Sequence, residues 1–345
     1  MGISDWGNRI RDAIEREGVW RGLSTALYEL RVGAIRRLAQ RSHEPEYIWD
    51  RDWDVLVVLD ACRLDMMREV AGEYEYIDVV ESHTSAATST TAWSKQNFAP
   101  QFADELSETA YVTANPNSIT IGDIILPETC SCGVPLSHDH RAVTVACREC
   151  GKQVVGDRQH PFMIFDEVWR GNWNDSLGTL LPDTVTARAV EAMREEAPER
   201  LIVHYNQPHH PFVARDGDGR RTEFDLGEGT NVWQELRVGN VSRDEVWDAY
   251  VDNLRYVLDS LPALLENIDA DTVVITSDHG NALGEWGVYG HPYPSVPIEP
   301  LVNVPWIETQ AQNDRGDEPS VIADEPKSDE VAGEVNERLR DLGYV

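Results

Sequence analysis

The sequence predicts an α/β protein: a mostly parallel central sheet with helices on both faces, plus a small Cys-rich insertion. Three observations predict it. Short β-branched apolar runs recur, DVLVVLD at 54–60, RLIVHY at 200–205 and DTVVITS at 271–277. Such runs fit strands buried on both faces. Helix-forming stretches alternate with them, as in a parallel sheet. Residues 127–160 break the alternation, holding four of the 5 Cys and few apolar residues.

Taken in order, residues 1–50 read as a helical prelude. Ile10 and Ile14, then Leu23, Leu27 and Leu30, sit at helical spacing, and Arg31, Arg36, Arg37 and Arg41 make its end basic. Membrane-surface contact is one reading of such a helix. Docking on the main domain is the other, and the sparse basic face favours it. The α/β domain is expected over 51–345. Its strands are expected at 54–60, 76–80, 110–114, 200–205 and 271–277, and its helices at 92–99, 183–197, 242–268 and 329–342. Residues 214–231 read as a polar loop, and 310–330 as an acidic linker before the last helix.

Composition narrows the function. Of 345 residues, 41% are hydrophobic and 11 are Trp, enough for a core and too much for a disordered chain. Asp+Glu number 61 against 30 Lys+Arg, a net charge of -31, so nucleic-acid phosphate is repelled and no nucleic-acid partner is expected. Only Lys95, Lys152 and Lys327 are Lys. Acid-rich and Lys-poor composition suits a salt-rich, halophilic cytosol, where charges are screened within ~3 Å at 1 M salt. No run reaches the ~18 apolar residues of a membrane span, and the N-terminus lacks an apolar signal core, so a cytoplasmic location is expected.

The chemistry gathers at strand ends. Asp60 closes the first apolar run, His204 lies near the end of another, and Asp278–His279 follow a third. In parallel sheets ligands bind outside the carboxyl ends of strands. Asp and His supply carboxylate oxygen and neutral imidazole to divalent metals. Asp60 alone would serve equally as a helix cap. Arg63 has two readings, an anion contact or a helix Arg pairing with Asp65 or Glu69. Cys62 reads as a small core residue.

VLVVLDACRLD at the first site, IVHYNQPHHPF in the middle and VVITSDHGNALGEWGVYGH near the end together resemble the alkaline-phosphatase/sulfatase superfamily. The ending ERLRDLGYV resembles the close of many sulfatase-like chains. The likeness runs piecewise from about 54 to 345 and leaves out the prelude and the insertion. It implies an alkaline-phosphatase-like sheet and one divalent metal (Mn, Ca, Mg or Zn) held by Asp60, Asp278 and His279. It also implies a nucleophile some thirty to fifty residues after Asp60, where SHTSAATSTTAWSKQNF offers Thr84, Ser85, Thr88, Ser89, Thr90 and Thr91. Thr90 is selected as the expected N-cap of the helix, with Ser89 and Thr88 next to it. His209 takes the family's Pro-His position as hydrogen-bond donor or general acid, and His291 should face the substrate anion. No Cys/Ser-x-Pro-Ser-Arg motif exists, and Ala61 stands where sulfatases have a second Asp. Both departures favour a plain Thr/Ser attacking a phosphate ester. A sulfatase, or a binding protein that has lost turnover, are the alternatives. A glycan or lipid-linked glycan ester is the substrate class that the family analogy suggests.

Cys130-x-Cys132, fourteen residues, then Cys147-x-x-Cys150-Gly has thiolate spacing for structural zinc. His138 and His140 are alternative ligands.

Overall fold

The computed structural model describes residues 19–125, 129–136, 144–155, 157–174, 177–215, 221–223 and 231–314. The expected helix at 329–342, most of the 310–330 linker, Ile10, Ile14, His138 and His140 lie outside them. Seven strands form the main sheet: β1 (Val55–Leu59), β2 (Glu81–Thr84), β3 (Thr109–Thr113), β4 (Ile164–Glu167), β5 (Arg200–Tyr205), β6 (Ala270–Thr276) and β7 (Asn303–Ala311). Their spatial order is β2-β7-β6-β1-β5-β3-β4. The run from β6 to β4 is parallel, whereas β7 is antiparallel to both β6 and β2. The principal helices are α1 (Val19–Ala39), α2 (Leu64–Val70), α3 (Thr90–Asn97), α4 (Pro182–Glu196), α5 (Val232–Val238), α6 (Arg243–Leu258) and α7 (Leu261–Leu265).

Strand alternation divides the core between the two faces. Val55, Val57 and Leu59 of β1 join Leu201, Val203, Val273 and Ile275 in packing against α2, α4 and α6 through Met66, Val185, Tyr250 and Leu254. Leu56, Val58, Ile202 and Val274 face the other way, onto Trp93 of α3, Trp53 and Tyr111. Both faces are covered, which is why β1 is apolar at every position.

Several expected elements shift. Residues 76–80 form no strand. Ile77 joins the core and the Tyr76 hydroxyl donates to Leu258 O at 2.7 Å, while the strand is the polar segment after it. The segment ESHT carries no apolar run because it pairs at the sheet edge, Glu81 opposite Trp306 and Thr84 opposite Asn303. Strands β4 and β7 were not expected; β4 is an edge strand, and β7 carries Pro305 and Glu308 within its run. The helix expected over 242–268 is two, broken around Asp259–Ser260. Of the expected 214–231 loop, Arg221–Glu223 pairs with Val213–Arg215. Helix α1 docks on the domain through Tyr28, Val32, Ile35 and Ala39, which meet Val288, Val296, Ile298 and Leu301. Leu27 and Leu30, expected on its apolar face, point to solvent. No described helix is long and apolar enough to cross a membrane.

Candidate metal centre

The parallel strands deliver their C-terminal ends to one place. Asp60 follows β1, and Ala61 after it takes a left-handed φ of 64°, costly for a residue with a Cβ. That turn aims the Ala61 N–H at Asp278 Oδ1, 3.0 Å away, while its carbonyl accepts from the Tyr250 hydroxyl. The position that carries a second Asp in sulfatases here contributes its backbone. Asp278 follows β6, and its Oδ1 accepts a second bond, from the His279 N–H at 2.9 Å. Ser85 donates its hydroxyl to the Asp278 carbonyl and Ser277 donates to His279 O at 2.7 Å, fixing the turn from both sides.

Each carboxylate has one satisfied oxygen and one that is not. Asn115, just beyond β3, donates its amide to Asp60 Oδ2. Asp60 Oδ1, Asp278 Oδ2, His279 Nε2 and His204 Nε2 are buried without a hydrogen-bond partner. These four atoms converge. His279 Nε2 lies 3.6 Å from Asp60 Oδ1 and 3.5 Å from Asp278 Oδ2, and His204 Nε2 lies 3.9 Å from Asp278 Oδ2. Ligand atoms of Asp60, His204 and Asp278 all fall within 4.8 Å of one another. A buried unsatisfied polar atom costs about 1–3 kcal/mol, more when charged, so four around one point fit a bound cation. Oxygen and imidazole donors suit a divalent metal. His279 Nδ1 bonds the Gly280 carbonyl at 3.0 Å, the outer contact that holds a ligating imidazole with Nε2 inward.

The electrostatics follow from burial. Asp60 is held well above the usual carboxylate range by desolvation and by the charge of Asp278, against the pull of Asn115. Burial pushes Asp278 upward too, but His279, His204, the Ala61 N–H and the Thr90 hydroxyl bring it below its ordinary value. His204 is lowered to about 4, by burial first.

Thr90 is buried at this centre, its hydroxyl 3.4 Å from the Asn115 amide and against the Asp278 carboxylate. Its expected place as N-cap is corrected: Ser89 holds that position and Thr90 is the first residue of α3. The shift is one residue, within the ordinary ambiguity of helix ends. The other hydroxyls are placed differently. Thr84 is in β2, Ser85 braces Asp278, and Thr88 is buried with its hydroxyl unpartnered.

His209 and His291 form the outer wall. Their Nε2 atoms are 3.1 Å apart, and the His291 and His279 ring centres are 4.6 Å apart. His209 Nδ1 bonds the His210 carbonyl at 2.6 Å. His209 lies well below the ordinary imidazole range through burial and the neighbouring His291, and His291 is lowered to about 3 through burial and His279. Arg63 does not face this centre. It is buried and binds Asp65 at 2.6 Å, Glu285 at 2.9 Å and the Asn281 carbonyl at 2.8 Å. Asp60 caps no helix, because Arg63 occupies the N-cap position of α2.

Two contributions were not read from the sequence: the Asn115 side chain, which touches both Asp60 and Thr90, and the Ala61 backbone, which holds Asp278. His204, expected at a strand end, points its unpartnered Nε2 into the centre. The available signal was position: Asn115 directly follows the apolar run 110–114, as Asp60 follows its own.

Among solved structures, the chain is similar to the soluble domain of lipooligosaccharide phosphoethanolamine transferase A from Neisseria meningitidis, at 17% identity and a TM-score of 0.41, covering 76% of this chain and 77% of that one. The corresponding integral membrane protein from the same organism matches at 16% and 0.40, covering 90% of this chain and 59% of that one. The C-terminal periplasmic domain of phosphoethanolamine transferase EptC from Campylobacter jejuni matches at 14% and 0.38, covering 77% and 83%. No curated protein matches the chain. The sulfatase family model matches residues 137–313, just over half of the chain. That stretch contains His204, His209, Asp278, His279 and His291, and the chain belongs to the sulfatase family.

Proposed function

We propose that the protein is a metal-dependent phosphoesterase or phospho-group transferase that uses Thr90 as a covalent nucleophile. The observation that carries this reading is the convergence of four unsatisfied buried ligand atoms beside a buried Thr hydroxyl at a helix start. Asp60, Asp278 and His279 would hold the metal, with His204 beside them. A divalent ion there would lower the pKa of a neighbouring hydroxyl and neutralise charge on the transferring group.

The protein's own groups then divide the work. Thr90 Oγ1 attacks phosphorus, forming an O–P bond as the bond to the leaving alcohol breaks. The proton that the Thr90 hydroxyl gives up passes to a neutral ring of the His209–His291 pair, and the imidazolium so formed hands it to the leaving oxygen. A water or an acceptor hydroxyl then attacks phosphorus and releases Thr90, giving hydrolysis or transfer respectively. The Asn115 amide keeps Asp60 and Thr90 in register. The absence of a Cys/Ser-x-Pro-Ser-Arg motif supports phosphate over sulfate.

The substrate class proposed is an anionic ester of a glycan or lipid-linked glycan. The composition further supports activity in concentrated salt, since 61 acidic residues against 30 basic ones repel one another least there. The test is a panel of nitrophenyl phosphate, a phosphodiester and nitrophenyl sulfate, assayed at low and high KCl with Mn, Zn, Mg and Ca. Phosphoester cleavage that needs metal and rises with salt is expected. Cleavage of the sulfate alone would replace this reading with a sulfatase, and turnover of none would leave a binding protein.

A further inference from the structure

The Cys cluster shares no core with the sheet that carries the chemistry just described. Cys130, Leu136 and Cys147, with Val134 and Val154 against them, form a separate small apolar cluster. Around it are short antiparallel pairs, Thr144–Ala146 with Gln153–Val155 and Asp123–Ile125 with Asp157–Gln159. Two-stranded pairs of three residues do not hold themselves together in water, and so few apolar side chains cannot stabilise them.

The four cysteines are arranged for something else. Cys130 and Cys132 sit on one tight turn, and Cys147 and Cys150 on another. Each turn ends in a left-handed glycine, Gly133 with φ 85° and Gly151 with φ 69°. Those glycines close the turns through Gly133 N–H to Cys130 O at 2.8 Å and Gly151 N–H to Cys147 O at 2.9 Å. A side chain at either would be strained by the backbone angle alone.

The sulfurs of the two turns face each other in cross-turn pairs. Cys130 Sγ is 3.7 Å from Cys150 Sγ, and Cys132 Sγ is 3.5 Å from Cys147 Sγ. All four fall within 4.8 Å of one another. A disulfide would need ~2.05 Å between sulfurs. A tetrahedron of ~2.3 Å metal–sulfur bonds has edges of ~3.8 Å, close to both observed separations.

Backbone donors point at the sulfurs as well: the Cys132 N–H at Cys130, the Cys150 and Glu149 N–H groups at Cys147, and the Val134 N–H at Cys132. Such bonds favour thiolate over thiol. Four thiolates packed this closely would repel one another unless a cation lay between them.

We infer that Cys130, Cys132, Cys147 and Cys150 bind one zinc ion as a closed four-sulfur structural site. All four positions of the tetrahedron are filled by protein, so the ion has no open position for a substrate. Its work is to fold the insertion. The cluster is joined to the sheet domain through the 123–125/157–159 pair, next to Gly122. There a Cβ would fall 2.1 Å from the Gln159 carbonyl, so the two chain segments touch backbone to backbone. Because the main core lies on separate residues, losing this zinc should unfold the insertion and leave the seven-stranded sheet standing.

The test uses the full chain. A mercurial that caps thiols, added to native protein with a zinc-sensitive dye, should release one zinc per chain. Growth in cobalt should give the strong near-ultraviolet sulfur-to-metal band and red d–d bands of tetrahedral four-sulfur cobalt. That spectrum does not depend on the oxygen- and imidazole-lined centre, so it separates this site from the proposed catalytic metal. Cys147→Ser and Cys150→Ser should each lose that zinc and become protease-sensitive within 127–160 while keeping sheet circular dichroism. The wild-type cobalt spectrum decides the matter should a variant fail to fold. Four thiols that alkylate freely in native protein, with no sulfur-to-cobalt band, would overturn the site. Iron in its place, seen as a coloured protein, would overturn the zinc assignment.

Discussion

The Asn115 side-chain amide donates to Asp60 Oδ2 and leaves Asp60 Oδ1 turned, unpartnered, toward Asp278 and His279. This one contact sets which carboxylate oxygen is free to bind a cation. Asn115 also accepts the Asn117 N–H at 2.9 Å, starting the turn that follows β3. Asn115→Ala should weaken metal binding by roughly 10- to 100-fold, the usual cost of losing an outer-sphere partner. The lost cap should add about 1 kcal/mol of instability. Metal titration by calorimetry checks it, and unchanged affinity would mean that Asn115 only shapes its turn.

Asp60→Ala and Asp278→Ala should each abolish tight binding of the active-centre metal. Each removes a carboxylate whose inward oxygen nothing else replaces. The sheet should survive, because the alternating cores on both its faces do not include these side chains. Metal analysis and circular dichroism on the same samples decide it. Full metal content in both variants would remove the site.

His209→Gln and His291→Asn should slow reactions in proportion to how badly the leaving group needs a proton. With an alkyl alcohol leaving, the loss should be on the order of 10²-fold or more. With nitrophenolate leaving, which departs unprotonated, the loss should be much smaller. Comparing kcat/KM across leaving groups measures this. Equal losses for all leaving groups would assign the pair to binding the anion and not to proton donation.

His83 offers a pH test away from the active centre. It is buried against Trp306, ring centres 4.8 Å apart, with Glu46 at 3.6 Å and Arg51 and Asp50 also facing it. Burial lowers it to about 4 from 6.5, opposed by Glu46 and assisted by Arg51. The sign follows from proton counting: below 6.5 the unfolded chain gains a proton that the folded chain refuses. Its contribution is therefore present above 6.5 and is lost as pH falls toward 4, at most about 3 kcal/mol. His83→Gln should flatten the fall in melting temperature across that window. Parallel curves for wild type and variant would contradict the buried neutral state.

Much of this architecture was legible in the chain. The apolar runs ending at Asp60 and Thr276 are strands because both faces of the sheet are covered, and a strand covered on both faces must be apolar throughout. Their ends therefore announced Asp60 and Asp278–His279. What stayed hidden depended on lateral order. Asn115 reaches Asp60 across β5, since the order is β1-β5-β3, and a sequence does not print which strands are neighbours. Ala61 acts through its backbone, which no side-chain pattern shows. Strand β2 escaped because its four residues, ESHT, satisfy their hydrogen bonds at the sheet edge without contributing an apolar run. The Thr90 region was legible as a hydroxyl-rich helix start, but only packing distinguishes Thr90, beside Asn115, from Ser85, committed to the Asp278 carbonyl.

The central claim is that the Thr90 hydroxyl becomes bonded to the transferring group. Thr90→Ala should lower turnover on the order of 10³-fold or more, while Thr90→Ser retains part of it, because the hydroxyl survives. Thr88→Ala and Ser89→Ala should be milder, because the Thr88 hydroxyl is unpartnered and Ser89 caps α3 without a side-chain hydrogen bond. The direct measurement is peptide mass spectrometry of enzyme quenched with acid during steady turnover of a phosphoester. The added mass of the transferred group should appear on Thr90 and be absent from Thr90→Ala. The same mass on Ser89 or Thr88, or rapid turnover with no adduct on any residue of this segment, would contradict it.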